Sequence, residues 1–198
     1  ASLGLEVGIE KIINITKSFG VSSSITPLPS VTLGAFELYP KEVLQLYLAL
    51  SNFGQKSEIS FVRSVRNKKD EEVFSFAPHR EQAQDPSSVA SLVSMMKQTL
   101  ISGTAKYVTA SGFQKPAAGK TGTTSESRDV WFSGFTPYRT TIVWIGFDTT
   151  TKNKLTGASG AVPIWTEFMK KATLDDPPDD FVWPEDTVKV IVDEKALR

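Results

Sequence analysis

The chain has 198 residues, of which 40% are hydrophobic, and its 22 Lys+Arg and 22 Asp+Glu give a formal net charge of zero. That is enough apolar material for about one globular domain, and the balanced charge offers no general basic field to attract nucleic acid or anionic lipid. With no cysteine and one histidine, His79, disulfides, thiolate metal sites, iron–sulfur clusters, a cysteine nucleophile and a histidine metal cage are excluded, and no cofactor is expected.

Residues 3–15 carry apolar positions at Leu5, Ile9, Ile12 and Ile13, the spacing of a helix interrupted near Gly8 and ended by Gly20. This pattern runs almost to Ala1, and no initiator Met is present, so the chain reads as a piece of a longer protein. Residues 22–30 form a Ser/Pro loop. Pro40, after Tyr39, suits the first position of a helix containing Val43, Leu44, Tyr47, Leu48 and Leu50, which Asn52 and Gly54 stop. Residues 59–66 and 71–76 predict short strands around the polar turn 67–70, a hairpin exposing Arg63, Arg66, Lys68 and Lys69. His79 falls in the following loop and reads as a solvated residue.

Asp85 and Pro86 open the clearest helix, with Asp85 as N-cap and Gly103 as terminator. Its predicted inward stripe is Val89, Leu92, Val93, Met96 and Leu100. Residues 117–124, 130–136 and 140–147 are β-branched or aromatic and divided by turn residues, which predicts three consecutive antiparallel strands. No apolar run approaches the roughly 20 residues needed to cross a bilayer. Residues 157–160 form a tight loop capping a last helix, 162–172, with Ile164, Trp165, Phe168 and Met169 predicted inward. Residues 174–198 are an acidic, Pro-rich extension, with a solvated linker at 175–180 and one strand-like stretch at 188–192. Helices, then an antiparallel sheet, then a helix is an α+β order, a sheet flanked by helices.

The string Gly119-Lys120-Thr121-Gly122-Thr123-Thr124 is the candidate site. A phosphate-binding loop needs a glycine at position 114, where Gln114 stands, and a helix after the Lys-Thr pair, where a Gly/Ser/Thr-rich stretch leads into a strand. On a strand, Lys120 and Gly122 face one way and Thr121 and Thr123 the other. A glycine there lets a ligand backbone lie close, a cation and hydroxyls can hold a peptide carboxylate, and strand amides can stabilise an oxyanion. A free strand edge can also pair with an extended peptide.

The surrounding strings are Asp129-Val130-Trp131-Phe132-Ser133-Gly134-Phe135-Thr136-Pro137, Val143-Trp144-Ile145-Gly146, and Gly157 with Pro163-Ile164-Trp165. Upstream lie Leu33-Gly34-Ala35 and Ser102-Gly103-Thr104-Ala105. Together they closely resemble the C-terminal part of the transpeptidase domain of class A penicillin-binding proteins, over residues 3–172. The resemblance implies a serine β-lactamase/penicillin-binding transpeptidase-like fold over residues 1–173, incomplete in this chain. It implies a peptidoglycan D,D-transpeptidase that cross-links stem peptides through a Ser acyl-enzyme with release of D-Ala. The implied partners are a stem peptide ending in D-Ala-D-Ala and β-lactam antibiotics. The implied location is the extracytoplasmic face of the bacterial cytoplasmic membrane, with the anchor outside this chain. Lys120, Thr121 and Gly122 would line the substrate site. Thr123 would contact the terminal carboxylate, and its backbone N–H would be one of two oxyanion donors, the other coming from the nucleophilic Ser. Trp131 reads as packing beside the site.

The family pattern also requires Ser-x-x-Lys and Ser-x-Asn elements upstream. Ser94-Met95-Met96-Lys97 matches the first by letters only, 23 residues before Lys120, and no Ser-x-Asn occurs. The N-terminal part of the same protein is therefore expected to carry the nucleophilic Ser, and this fragment alone to be inactive. A non-catalytic binding or scaffolding module of the same fold is the alternative reading.

Overall fold

The structure, a computed structural model, describes residues 1–124, 128–149, 151, 154–188 and 190. The first helical pattern is two helices, α1 (Ser2–Val7) and α2 (Ile9–Ser18), broken where Gly8 takes φ +96°, a left-handed value that glycine adopts without strain. A 3₁₀ turn, Pro29–Leu33, begins at the end of the predicted loop 22–30 and runs three residues past it. Helix α3 (Pro40–Ser51) starts at its proline as expected. Strands β1 (Gln55–Ser57), β2 (Ser64–Arg66), β3 (Glu72–Ser75) and β4 (Arg80–Gln82) form two nested antiparallel pairs, β1 with β4 and β2 with β3. Helix α4 (Pro86–Ile101) is capped by the Asp85 carboxylate, which accepts from the Ser88 N–H at 2.7 Å. The one-turn helix α5 (Tyr107–Ala110) leads to the central sheet of β5 (Ala118–Thr123), β6 (Val130–Phe135) and β7 (Thr140–Ile145), all antiparallel in that order. A π-helical turn, Gly157–Ala161, runs into α6 (Val162–Ala172).

Alternation divides the sheet into two packing faces. One presents Val130 and Phe132 to Val162, Trp165 and Met169 of α6. The other presents Ala118 and Phe135 to Val89, Val93 and Met96 of α4 and to Ala49 and Leu50 of α3. Gly134 is required where Trp165 crosses the sheet: a Cβ there would stand 2.9 Å from the indole ring, whose N–H donates to the Thr141 carbonyl at 3.1 Å. Tyr47 is held against this sheet beside Ser133, and burial pushes its phenol up to about 12.

Two inward stripes are narrower than their periodicity predicts. Leu92 is 40% exposed, and Ile164 and Phe168 are 53% and 54% exposed. Each helix meets its neighbours along one stripe only. In α6 that stripe is Val162, Trp165, Thr166 and Met169, and in α4 it is Val89, Val93, Met96 and Leu100. Periodicity alone did not exclude the residues flanking those stripes. The predicted strand 59–66 is also shorter, because only Ser64–Arg66 finds a partner in β3.

The solvated linker expected at 175–180 is instead docked. Asp176 accepts from Arg139 Nε and Nη2, both at 2.7 Å. Asp180 takes Lys97 Nζ at 2.7 Å, and Phe181 is buried against Phe135 and Phe53. Two acidic side chains meet cations of the body, Asp180 with Lys97 and Asp176 with Arg139, and Lys115 donates to the Asp176 backbone carbonyl, which with Phe181 converts a solvated run into a strap. The strand-like stretch 188–192 reaches into residues outside the described set.

Glu42 ties the loop before the 3₁₀ turn to α3. Its carboxylate accepts from the N–H and hydroxyl of both Ser22 and Ser23, and from the Tyr39 N–H. Burial alone would raise this acid, but the Ser22 and Ser23 hydrogen bonds outweigh it and bring the pKa from 4.5 to about 2. A depressed carboxylate contributes stability that is complete above 4.5 and is lost as the pH falls toward about 2. Glu42→Gln is expected to cost about 2 kcal/mol at neutral pH, the carboxylate hydrogen bonds being partly screened by water. It should also flatten the acid limb of stability, which denaturant midpoints at neutral and strongly acidic pH will read.

Candidate functional site

Residues 120–123 lie extended in β5, the edge strand of the central sheet. Two hydrogen bonds set which backbone groups face out. The Gly119 carbonyl accepts from Thr99 Oγ1 of α4 at 2.6 Å, on the side away from β6. The Thr124 N–H donates to the Asp129 carbonyl at 3.0 Å, on the β6 side. Successive residues of a strand alternate in this direction. The N–H and C=O of Thr121 and Thr123 therefore point to the open edge, and those of Lys120 and Gly122 pair with β6. Consistently, the Thr121 carbonyl is reached by Lys120 Nζ at 2.9 Å.

The side chains divide as alternation requires. Lys120 is exposed on the same face as Gly122 and Trp131. A Cβ at Gly122 would meet Trp131 Cβ at 3.2 Å, so glycine leaves this part of the strand low against the indole. Trp131 stacks at a tilt on Trp144, 6.0 Å between centroids, and the Trp144 indole N–H donates to Asp129 at 2.9 Å. That agrees with a packing role for Trp131.

Thr121 and Thr123 turn to the other face, toward the π-helical turn. The Gly157 N–H donates to Thr123 Oγ1 at 3.0 Å, and Thr121 Oγ1 lies 2.7 Å from Thr104 Oγ1. Gly157 is required by close approach: a Cβ there would stand 2.8 Å from both Thr121 Cβ and the Trp131 carbonyl oxygen, and 3.1 Å from the Gly122 carbonyl. The backbone contacts cannot rotate away. Gly157→Ala is expected to cost about 1–3 kcal/mol through forced displacement of β5 or the turn, read as a lowered denaturation midpoint. Thr156 and Ser159 close the turn with a reciprocal capping box, so the N-terminal cap expected at 157–160 begins one residue earlier.

The structure thus brings Lys120, Thr121, Gly122 and Thr123 to one exposed strand edge. Thr99 and Thr104 were not singled out for a role by sequence. Thr104 lies in a string that carried the resemblance, whereas Thr99 gave no signal. The letter match at Ser94 and Lys97 lies within α4, where Lys97 is committed to Asp180 and sits 5.4 Å and 5.3 Å from the Phe181 and Trp183 ring centroids. His79 is exposed, its carbonyl accepting from the Glu58 N–H. Among the described residues no helix follows Lys120-Thr121 before β6, which removes the phosphate-loop geometry. Among them, too, no group of three or more acidic or histidine residues could hold a metal ion, and no helix is long and apolar enough to cross a membrane.

Comparison with known proteins agrees with this geometry. The family model described as the penicillin binding protein transpeptidase domain matches residues 7–170. Penicillin-binding protein 1B of Vibrio cholerae is 36% identical over 170 residues, covering 85% of this chain but only 22% of that relative. The chain therefore spans about a fifth of the length of such relatives. The crystal structure of penicillin-binding protein 1A from Haemophilus influenzae shares the fold with a TM-score of 0.84 at 20% identity, over 91% of this chain and 33% of that one. Penicillin-binding protein A of M. tuberculosis, solved as a ceftriaxone acyl-enzyme complex, shares it with a TM-score of 0.70 at 18% identity, over 86% of this chain and 45% of that one. The matched span takes in the central sheet and the helices that cover both its faces. The chain belongs to the penicillin-binding protein transpeptidase family, with class A proteins 1A and 1B among its relatives.

Proposed function

We propose that this chain supplies one wall of the active site of a peptidoglycan D,D-transpeptidase. The supporting observation is the open edge of β5, where the amide groups of Thr121 and Thr123 face outward beside an exposed lysine and a glycine. A stem peptide ending in D-Ala-D-Ala lies along that edge as an added strand. Its terminal carboxylate is held by the Thr121 and Thr123 hydroxyls, with Lys120 supplying positive charge. The nucleophilic Ser comes from the N-terminal part of the same protein. Its Oγ attacks the carbonyl of the penultimate D-Ala, an ester forms, and the amide to the last D-Ala breaks. The Thr123 N–H and the N–H of that Ser stabilise the oxyanion between these states. An amine of a second stem peptide then attacks the ester, forms the cross-link and returns the proton to the Ser hydroxyl.

A β-lactam presents a strained amide and a carboxylate in the same arrangement, so it acylates the same Ser. Residues 1–173 form the transpeptidase part, and 174–198 an extension, of which Asp176, Asp180 and Phe181 dock onto it. The chemistry takes place on the extracytoplasmic face of the cytoplasmic membrane, where the cross-linked polymer lies. The test is covalent labelling of the full-length protein by a fluorescent penicillin, followed on a denaturing gel. A stable labelled band is expected, and a folded protein that takes no label under saturating conditions refutes the reading.

A further inference from the structure

We propose that Thr104 is a positioning residue for the substrate carboxylate, acting through Thr121. The inference rests on the transpeptidase reading above and assigns a role to a residue outside the Lys-Thr-Gly string. Thr104 sits on the loop between α4 and α5, exposed, and brings its hydroxyl to 2.7 Å from Thr121 Oγ1. Each hydroxyl has one proton to give and can accept twice. Two hydroxyls in contact use one proton between them and keep the other. When Thr104 donates, the Thr121 proton is free for an acceptor beside the strand. A bound carboxylate accepts only, so it selects this direction of the pair.

Thr123 completes the set. Its Oγ1 already accepts from the Gly157 N–H at 3.0 Å, which leaves its proton unused by that bond. With Thr104 donating, each of the two threonines accepts one bond from another element, the α4–α5 loop or the π-helical turn, and keeps its own proton. The protons of Thr121 and Thr123 are then both available to an anion bound beside β5. Without Thr104 the Thr121 hydroxyl is free to turn, and it loses the hydrogen bond that polarises its own O–H.

The experiment compares the full-length protein with Thr104→Val, which removes the hydroxyl at nearly constant volume, and Thr104→Ser, which keeps it. Acylation rates are measured with a penicillin and with its methyl ester, which is the same β-lactam without the carboxylate charge. Thr104→Val is expected to slow acylation by the acid about tenfold, to leave the ester rate within about twofold, and to be restored by Thr104→Ser. Equal slowing of acid and ester points to a general displacement of β5 and overturns the proposal, as does an unchanged rate with the acid. In either case Lys120→Ala serves as the control for the underlying reading. If that variant is impaired while Thr104→Val is not, only the inference about Thr104 fails; if wild-type protein takes no label at all, both fail.

Discussion

Lys120→Ala in the full-length protein is expected to slow acylation by labelled penicillin about 10- to 100-fold while leaving stability within about 0.5 kcal/mol. The two halves of that expectation come from the same geometry. Lys120 is exposed on an edge strand, and among the described residues its ammonium donates to the Thr121 carbonyl, so its removal takes little from the fold. Under the proposed function the charge faces an anionic substrate, where a hydrogen bond to a charged group is worth about 1.5–3 kcal/mol. Stopped-flow acylation and thermal unfolding of the same preparations separate the two. An unaltered acylation rate with unaltered stability removes Lys120 from the site. A large loss of stability would instead make it a structural residue.

Ending the full-length protein at Leu174 is expected to lower the heat-inactivation midpoint of penicillin labelling by about 6–12 °C. That range corresponds to a loss of about 3 kcal/mol in a unit of this size. The largest part is Phe181, which is 4% exposed and packs edge-on against Phe135 at 5.7 Å and Phe53 at 6.2 Å. Removing a buried Phe costs about 3–5 kcal/mol when a cavity remains, and less where the site opens to water as here. Arg139 and Lys97 would also lose Asp176 and Asp180, partners that are partly solvated and contribute less. Phe181→Ala should reproduce most of the shift and Asp176→Asn little of it. A midpoint unchanged by truncation would make the strap a passive tail.

The strap also links to the site. Lys97 sits on α4 two residues before Thr99, whose hydroxyl holds the Gly119 carbonyl at the start of the candidate strand. Burial alone would raise the Asp180 carboxyl, but the hydrogen bond and charge of Lys97 hold it below the ordinary range. The pair is therefore intact at neutral pH and weakens only as acid protonates Asp180 below its unfolded value.

The elements that sequence placed well are those whose signals are local. Pro40 and the Asp85-Pro86 pair begin helices because φ and the missing or capped N–H act within one turn. Gly8 breaks the first helix because its backbone takes a left-handed φ. The three strands after residue 117 follow from β-branched and aromatic runs between turn residues, and their consecutive antiparallel pairing follows from short connections. The string at 119–124 reads as a strand rather than a phosphate loop because the spacing and the following segment both oppose a helix.

What sequence determined by itself, then, is the order and kind of the main elements, the location of the candidate site on one short strand, and membership of a family through strings of fixed spacing. Tertiary structure alone decided which residues serve that strand. Thr99, Thr104 and Gly157 stand 20, 17 and 34 positions from the residues they bind, and no local propensity reports a contact made across such distances. It also decided which flanks of α4 and α6 are covered, because periodicity defines a stripe but the neighbouring surface sets its width. The acidic tail is the clearest case. Its composition is that of a solvated linker, and only the folded arrangement of Phe53 and Phe135 around Phe181, with Lys97 and Arg139 beside Asp180 and Asp176, makes docking it favourable.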